Sequence, residues 1–276
     1  MTNLNEKSIG TVQPESRCGF VALIGAPNAG KSTLLNAAVG GKVSIVSRKV
    51  QTTRMRVRGI AVRGDSQIVF VDTPGIFEPK RRLERAMVSA AWTGVEETDI
   101  AVLLFDAQRK EPDRNTLTIL EGLKARKRNA ILVLNKVDLV NREDLLGQAA
   151  RFEAEGIFDA IFMVSALGGD GVEDLLDDLA ARIPSGPWHF PEDQLSDLPQ
   201  RLLAAEITRE KLFERLHQEL PYSLTVESEA WEEFRNGEAR IQQVIYVERP
   251  QHKVICLGKG GERIKQIREL AQAELQ

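Results

Sequence analysis

A phosphate-binding pattern lies near the start of the chain. The segment GAPNAGKS, Gly25 to Ser32, fits G-x-x-x-x-G-K-[ST], follows the apolar run FVALIG and opens a helix-length stretch. Successive backbone N–H groups in such a loop form an anion site at a helix N-terminus, where the dipole favours phosphate. Lys31, a candidate catalytic residue, is expected to reach the β- and γ-phosphates, and Ser32 to ligate Mg²⁺. The other predicted nucleotide contacts in this region are Ala26, Pro27, Asn28, Ala29, Gly30 and Thr33.

A second candidate element, DTPG from Asp72 to Gly75, ends another apolar run about 40 residues after the phosphate loop. An aspartate at a strand end can hold Mg²⁺ directly or through water. The Gly75 N–H can contact a γ-phosphate, and loss of that contact on hydrolysis would release the following loop. By itself D-x-x-G indicates only a turn, and its position in this order makes it a nucleotide element. Thr73, Pro74 and Ile76 belong to the predicted contacts.

The tetrapeptide NKVD, Asn135 to Asp138, follows the apolar run AILVL and indicates a base-reading loop. The Asp138 carboxylate can accept hydrogen bonds from the guanine N1–H and exocyclic amine, a donor pair that adenine lacks. Asn135 can tie this loop to the phosphate loop, and the aliphatic stem of Lys136 can cover the base. A strand-end turn is the alternative, and the preceding motifs favour guanine recognition.

Two weaker signals complete the nucleotide set. The tripeptide Ser165-Ala166-Leu167 follows the last apolar run, and its Ala166 N–H could donate to guanine O6. The tetrapeptide QTTR lies between the phosphate loop and DTPG. Thr53, preferred over Thr52, can complete the Mg²⁺ shell when GTP is bound, and it is the second candidate catalytic residue. An ordinary ordered loop is the alternative there.

The elements that position these residues are short apolar runs separated by helix-length stretches. Near-continuous runs at 20–25, 68–75, 100–107, 130–138 and 160–166 fit strands buried on both faces of a parallel sheet. Their alternation with helices predicts an α/β fold, a doubly wound domain with a mostly parallel sheet. Residues 56–62 alternate in polarity instead, as expected for a half-exposed antiparallel edge strand.

The chain divides into four segments. Residues 1–17 are expected to be a flexible tail, and 18–183 the nucleotide-binding domain. Residues 184–199 are rich in proline and lack periodic apolar positions, which indicates a linker. Residues 200–276 form the second domain. In it, helical spacing of apolar residues predicts a helix over 201–220 stopped by Pro221, and two strand-like stretches follow around 222–230 and 239–248.

Composition limits the class of protein. With 28% charged and 42% hydrophobic residues the chain is typical of globular proteins. Its formal net charge of −3 excludes a globally basic nucleic-acid binder but leaves room for a local basic patch. Two distant cysteines, Cys18 and Cys256, suggest free thiols in a reducing cytoplasm. No run reaches the ~18 apolar residues that a membrane span needs, so a soluble or at most membrane-peripheral protein is expected.

Together, GAPNAGKSTLLN, QTTR, VDTPG, NKVD and VSA resemble the translation-factor-related GTPases typified by Era. The resemblance continues through FPEDQLSD, RLLAAEITREKL and VICLGKGGERIK, and it covers residues 18–276. It implies a Ras-like P-loop GTPase domain joined to a small α+β type II KH domain. It also implies binding of GTP, GDP and Mg²⁺, binding of 16S rRNA near its 3′ end and a role in 30S subunit assembly. The family is cytoplasmic and can contact the inner membrane peripherally, and a monomer is expected.

Two positions in the nucleotide domain bear on catalysis. Ras-like proteins place a glutamine directly after D-x-x-G to orient the attacking water, whereas this chain has Ile76 followed by Phe77. Slow intrinsic hydrolysis is therefore expected. Similar GTPases carry an asparagine at the position of Asn28, and in some of them it helps bind K⁺ near the phosphates. We expect Asn28 to serve such a K⁺ site, the alternative being a loop-stabilising hydrogen bond.

The tetrapeptide GKGG, Gly258 to Gly261, fits the G-x-x-G loop with which KH domains clamp four nucleotides. Residues 249–268 carry six basic residues and one acidic residue, a local charge of +5. The predicted RNA-binding residues are Gly258, Lys259, Gly260, Gly261, Arg263 and Lys265. Relatives continue past this helix into another strand, whereas this sequence ends at Gln276. The KH sheet is therefore expected to lack its last strand, leaving two.

Three other functions were weighed against a GTPase that gates rRNA binding. An rRNA-binding scaffold that senses nucleotide with negligible turnover is compatible with Ile76. A tRNA-modifying GTPase has a similar nucleotide domain, but the G-x-x-G segment and the lack of a cysteine-bearing catalytic C-terminus speak against it. An ATPase conflicts with the predicted role of Asp138.

Overall fold

The computed structural model describes residues 16–46, 57–73, 75–77, 82–216 and 223–275. In the N-terminal part, strands and helices alternate along the chain as predicted. The elements are β1 Arg17–Gly25, α1 Lys31–Val39, β2 Val57–Arg63, β3 Ser66–Asp72, α2 Arg82–Glu96, β4 Ile100–Asp106, α3 Arg114–Ala125, β5 Ala130–Asn135, α4 Arg142–Glu153, β6 Phe158–Val164 and α5 Val172–Arg182.

Six strands form one sheet in the order β2-β3-β1-β4-β5-β6. Strand β2 runs antiparallel to β3, which confirms the predicted edge strand, and all other neighbours are parallel. Because parallel strands end at the same edge of a sheet, the loops after β1, β3, β5 and β6 meet there. These loops carry the four nucleotide segments found in the sequence.

Helices cover both faces of this sheet. On one face α1 and α5 contribute side chains such as Leu34 and Leu176 to the core. On the other, α2, α3 and α4 contribute Val95, Ile119 and Phe152. Burying one such side chain is worth about 1.5–3 kcal/mol, so the two cores hold the sheet and its loop-bearing edge in place. Burial on both faces explains why the strands appear in the sequence as continuous apolar runs.

A second unit follows, with elements α6 Gln200–Arg215, β7 Leu224–Glu233, β8 Ala239–Val247, α7 Pro250–Leu257 and α8 Glu262–Leu275. Strands β7 and β8 pair antiparallel, and they are the two members of this sheet among the described residues, as expected. The helices pack on them through a small core that includes Leu212, Leu216, Cys256 and Ile267. Cys256 is therefore a packing residue of this core.

The predicted helix over 201–220 is too long. Helix α6 ends at Arg215, and Leu216 already has extended backbone torsions while its N–H still bonds to the Leu212 carbonyl. Leu216 is almost fully buried in the small core, so tertiary packing turns the chain before Pro221 can stop it. Residues 217–222 lie outside the described part of the chain.

The segment predicted as a linker, 184–199, is bonded along the edge of the first sheet. The buried side chain of Gln67 accepts hydrogen bonds from the N–H groups of His189 (2.9 Å) and Phe190 (3.1 Å) and donates to the Phe190 carbonyl (2.8 Å). Further along, the Ile60 N–H of β2 donates to the Leu195 carbonyl at 2.9 Å. These contacts fix the path along which the second unit is connected.

Among the described residues, no helix is both long enough and apolar enough to cross a bilayer.

Candidate nucleotide and RNA sites

The phosphate loop has the backbone that its glycines predict. Gly25 has φ +156°, Asn28 has φ +66° and Gly30, which caps α1, has φ +99°. A Cβ at Gly30 would lie 2.1 Å from the Asn135 side-chain nitrogen, and one at Gly25 would lie 2.6 Å from the Leu104 carbonyl oxygen. Both positions therefore require glycine for conformation and for space.

Lys31 is buried within the loop that it follows. Its Nζ donates to the carbonyls of Gly25 and Ala26, each at 3.1 Å. Burial lowers the pKa of Lys31 to about 8, and the nearby Asp72 carboxylate opposes that shift. A phosphate oxygen is a stronger, charged acceptor than the two carbonyls and would stabilise the ammonium form.

Asp72, at the end of β3, is fully buried beside the phosphate loop. Its Oδ2 accepts hydrogen bonds from Ser32 Oγ and from Ser44 Oγ, both at 3.0 Å. Asn36 of α1 fixes Ser44 by bonding to both its N–H (2.9 Å) and its carbonyl (2.8 Å). Ser44 was not predicted, because it belongs to no motif and its contact with Asp72 depends on the fold.

Thr73 and Ile76, on either side of the DTPG turn, are both buried. Thr73 Oγ1 donates to the Leu23 carbonyl at 2.8 Å, and the Ile76 N–H donates to the Gly25 carbonyl at 3.3 Å. The Ile76 side chain is fully buried in the core between the sheet and α2. It is therefore both apolar and directed away from solvent, which agrees with the expectation that it cannot orient a water. Pro74 lies outside the described residues.

Asn135 joins three loops, which confirms the predicted tie to the phosphate loop. Its Nδ2 donates to the Ala29 carbonyl at 2.8 Å. Its Oδ1 accepts from the N–H groups of Lys136 (2.8 Å) and Ala166 (3.0 Å). The last contact involves the Ala166 N–H that was predicted to donate to guanine O6, and that role stays a prediction. Ser165 turns this loop by accepting a bond from the Gly168 N–H at 3.1 Å.

Lys136 lies across the base-reading side of the site. It has φ +67°, and its Nζ donates to Asp106 Oδ2 at 2.6 Å. Asp138 follows in a short 3₁₀ turn, Val137–Leu139. Both residues line a cavity of about 1010 Å³. The same cavity is lined by Pro27, Asn28, Gly30, Lys31, Ser32, Thr33, Ile45, Val46, Gly75, Ala166, Leu167, Phe213 and Glu214, among others. Thr53 lies outside the described residues.

The GKGG segment connects α7 to α8. Its glycines at 258, 260 and 261 have φ of +73°, +61° and +79°. A Cβ at Gly258 would lie 2.7 Å from the Arg263 Cβ, so the loop packs closely on the start of α8. The Arg263 guanidinium donates to the Ile255 carbonyl at 2.6 Å, whereas Lys259 is exposed. Lys265, also exposed, lies 3.9 Å from Glu269.

These features define a class of protein: a Ras-like P-loop GTPase domain followed by a KH domain. Comparison with known families agrees. The family described as 50S ribosome-binding GTPase matches residues 20–136, and the KH domain family matches residues 219–276. GTPase Era of Sinorhizobium medicae is 59% identical over all of this chain and 88% of its own length.

Two solved Era structures have the same architecture. An Aquifex aeolicus Era variant bound to GDP·AlF₄⁻ is 37% identical, with a TM-score of 0.88 over 94% of this chain and 88% of its own. Era in complex with MgGDPNP and nucleotides 1506–1542 of 16S ribosomal RNA gives the same values. The chain belongs to the Era family of GTPases, and it is a GTP-binding, RNA-binding GTP hydrolase.

Proposed function

We propose that this GTPase uses its nucleotide state to control binding of 16S rRNA near the 3′ end during assembly of the 30S subunit. One observation carries the proposal. Phe213 and Glu214 of α6, in the KH half, line the same cavity as Lys31 and Asp138 of the nucleotide domain. The nucleotide site therefore belongs to a cavity that both halves line, and a ligand bound there can act on their arrangement.

The phosphates and metal are assigned to the edge where β1 and β3 end. The N–H groups of the phosphate loop and the Lys31 ammonium take the phosphates. Ser32 Oγ and Asp72 Oδ2 lie 3.0 Å apart and offer the oxygen ligands that Mg²⁺ prefers. Thr53 is the proposed third ligand. When bound, the metal neutralises charge on the β- and γ-phosphate oxygens.

The base is assigned to the other end of the cavity. Asp138 reads guanine, the Lys136 stem covers it, and Asn135 holds the reading loop on the phosphate loop. Leu167 lines the same cavity. The Ala166 N–H donates to Asn135 Oδ1. It can also donate to guanine O6 only if its hydrogen is shared between these two acceptors.

Turnover is proposed to be slow without a partner. The buried Ile76 offers no side-chain group for water, so Lys31, Thr53 and a cation must supply the charge stabilisation. Asn28, with φ +66° at the rim of the cavity, is the proposed K⁺ ligand. The alternative function, a nucleotide-sensing scaffold with negligible turnover, predicts no hydrolysis even with RNA or 30S subunits in single-turnover assays.

RNA is assigned to the GKGG loop. Its positive-φ glycines expose backbone to a nucleotide chain, while Lys259, Arg263 and Lys265 add charge along the start of α8. Sucrose gradients with separate 30S and 50S subunits test the partner, because the rRNA named in the Era complex is a small-subunit RNA whereas one family description names the large subunit. Co-sedimentation with 50S alone would contradict the 30S assignment.

The nucleotide-controlled step is tested by RNA binding in two states. Fluorescence anisotropy with an RNA of the 16S 3′-terminal sequence is measured with the chain bound to Mg·GDPNP and to Mg·GDP. We expect tighter binding with GDPNP, by the 5- to 150-fold typical of coupled sites. Equal affinities in the two states would refute the proposal.

Cytoplasmic location, peripheral contact with the inner membrane and a monomeric state remain predictions from the family resemblance. Vesicle flotation with anionic lipid, and sedimentation of the purified chain, test the last two.

A further inference from the structure

Glu210 belongs to α6 of the KH half, yet its carboxylate faces the nucleotide domain. The side chain is buried, with 3% of its surface exposed. Oε1 accepts the Val46 N–H at 2.7 Å. Oε2 accepts from Lys42 Nζ and, at 3.2 Å, from Lys211 Nζ. A buried carboxylate is tolerated only when it is paired and hydrogen-bonded, and here two of the three donors come from the other half of the chain.

The two lysines extend this contact to α8. Lys42 and Lys211 both form ion pairs with Glu274, near the C-terminal end of α8. The cluster of Lys42, Glu210, Lys211 and Glu274 is thus balanced in charge and joins three elements. Helix α8 begins directly after the GKGG loop, so the cluster holds the far end of the helix that carries the predicted RNA site.

The segment 42–46 also reaches the nucleotide site. Ser44 lies between the two residues that contact Glu210, and its hydroxyl donates to Asp72 Oδ2 at 3.0 Å. Asn36 holds the backbone at Val43 and Ser44, which fixes the position from which the Ser44 hydroxyl reaches Asp72. The same Asp72 oxygen accepts a hydrogen bond from Ser32, the proposed metal ligand. A cation bound there would therefore compete with the Ser44 hydroxyl for this oxygen.

We propose that Ser44 and Glu210 are positioning residues of a relay that makes occupation of the metal–nucleotide site and placement of α8 mutually dependent. This inference rests on the proposed function, because it names the residues through which nucleotide state reaches RNA. A cation bound at Asp72 changes the Ser44–Asp72 hydrogen bond that anchors segment 42–46. The resulting displacement of this segment is transmitted by Val46 and Lys42 to Glu210 and Glu274. By thermodynamic linkage, RNA bound to the GKGG loop must change the affinity for GDPNP relative to GDP. The factor must equal the ratio of the RNA affinities in the two nucleotide states.

The test compares RNA affinities in the Mg·GDPNP and Mg·GDP states for the wild type, Glu210→Gln and Ser44→Ala. Glu210→Gln keeps the shape of the side chain and removes its charge, and Ser44→Ala removes one hydroxyl. The matched control is Glu206→Gln, one turn earlier on α6, whose carboxylate pairs with Arg209 of the same helix. Thermal unfolding by circular dichroism is recorded for each variant.

We expect the ratio of the two RNA affinities to fall below about threefold in both relay variants, from about tenfold or more in the wild type and in Glu206→Gln. A wild-type ratio that persists in Glu210→Gln and Ser44→Ala would overturn the relay, as would equal losses in the control. If Glu210→Gln does not fold, Ser44→Ala decides by the same criterion. A wild-type ratio of one would instead refute the proposed function itself, so the two failures are distinguishable.

Discussion

The nucleotide site and the GKGG loop are built in opposite ways. In the nucleotide site, Lys31, Asp72 and Asn135 are buried and each is hydrogen-bonded to the phosphate loop, so their positions are set before any ligand arrives. In the GKGG loop, Lys259 is exposed and Arg263 is tied only to its own neighbourhood. The first site can therefore discriminate by geometry, whereas the second depends on charge and on close approach of backbone.

The largest effect should come from changing the base-reading carboxylate. Asp138→Asn removes the acceptor for both guanine donors, and we expect GTP affinity to fall by roughly 10³-fold or more, with xanthosine triphosphate becoming the better ligand. Titration with fluorescent GDP and XDP analogues measures the switch. Asp144→Asn, an exposed position on α4, is the control. A variant that still prefers GTP would show that Asp138 does not read the base.

The next largest effect tests the tight packing of the nucleotide site. Gly30→Ala places a Cβ against Asn135, and we expect nucleotide affinity to fall by roughly 10- to 100-fold, because losing a buried hydrogen bond costs about 1–3 kcal/mol. Gly40→Ala is matched in conformation, since Gly40 has φ +74° but open space around its Cβ. Isothermal titration with GDP checks both variants. Equal losses would mean that backbone strain alone, and not the Asn135 contact, is responsible.

RNA binding by the GKGG loop should depend on the charge of the loop and on the salt concentration. Lys259→Asp is expected to weaken RNA binding about tenfold at low salt and to lower the salt dependence of binding, because one phosphate contact is lost. Lys110→Asp makes the same charge change at an exposed position of the nucleotide domain. Anisotropy titrations over a range of KCl concentrations measure affinity and slope. An unchanged affinity for Lys259→Asp would remove this loop from the RNA site.

The smallest effect concerns the cation at the rim of the cavity. Single-turnover GTP hydrolysis is expected to be about fivefold faster in K⁺ than in Na⁺, because a cation at Asn28 adds charge stabilisation in the transition state. Asn28→Ala should abolish this difference while hydrolysis in Na⁺ changes little. Equal rates for the wild type in the two salts would exclude the K⁺ site.

The positions of the candidate nucleotide residues could be predicted from the sequence because they follow from local rules. A strand, a glycine-rich turn and a helix place Lys31 and Ser32 within one segment, and parallel pairing brings Asp72 to the same edge. The exceptions depend on long-range packing. The bonds of Ser44 to Asp72 and of Ala166 to Asn135 need the folded loops.

The interface between the two halves was beyond sequence reasoning. The contact between Val46 and Glu210 joins residues 164 positions apart and has no motif. The linker was predicted from its prolines, but its bonds to Gln67 were not, because a buried glutamine in an apolar strand gives no hint of its partner. Likewise, α6 ends early because Leu216 packs into a core that periodicity cannot locate.

Coupling of nucleotide binding to RNA binding through one cavity can be measured by reciprocal titrations. The dissociation constant of Mg·GDPNP is measured by titration with and without saturating 16S 3′-terminal RNA. The dissociation constant of Mg·GDP is measured under the same two conditions. We expect RNA to raise the affinity for GDPNP relative to GDP by the same factor by which GDPNP, relative to GDP, raises the affinity for RNA, on the order of tenfold. Nucleotide affinities that are unchanged by RNA would contradict this coupling.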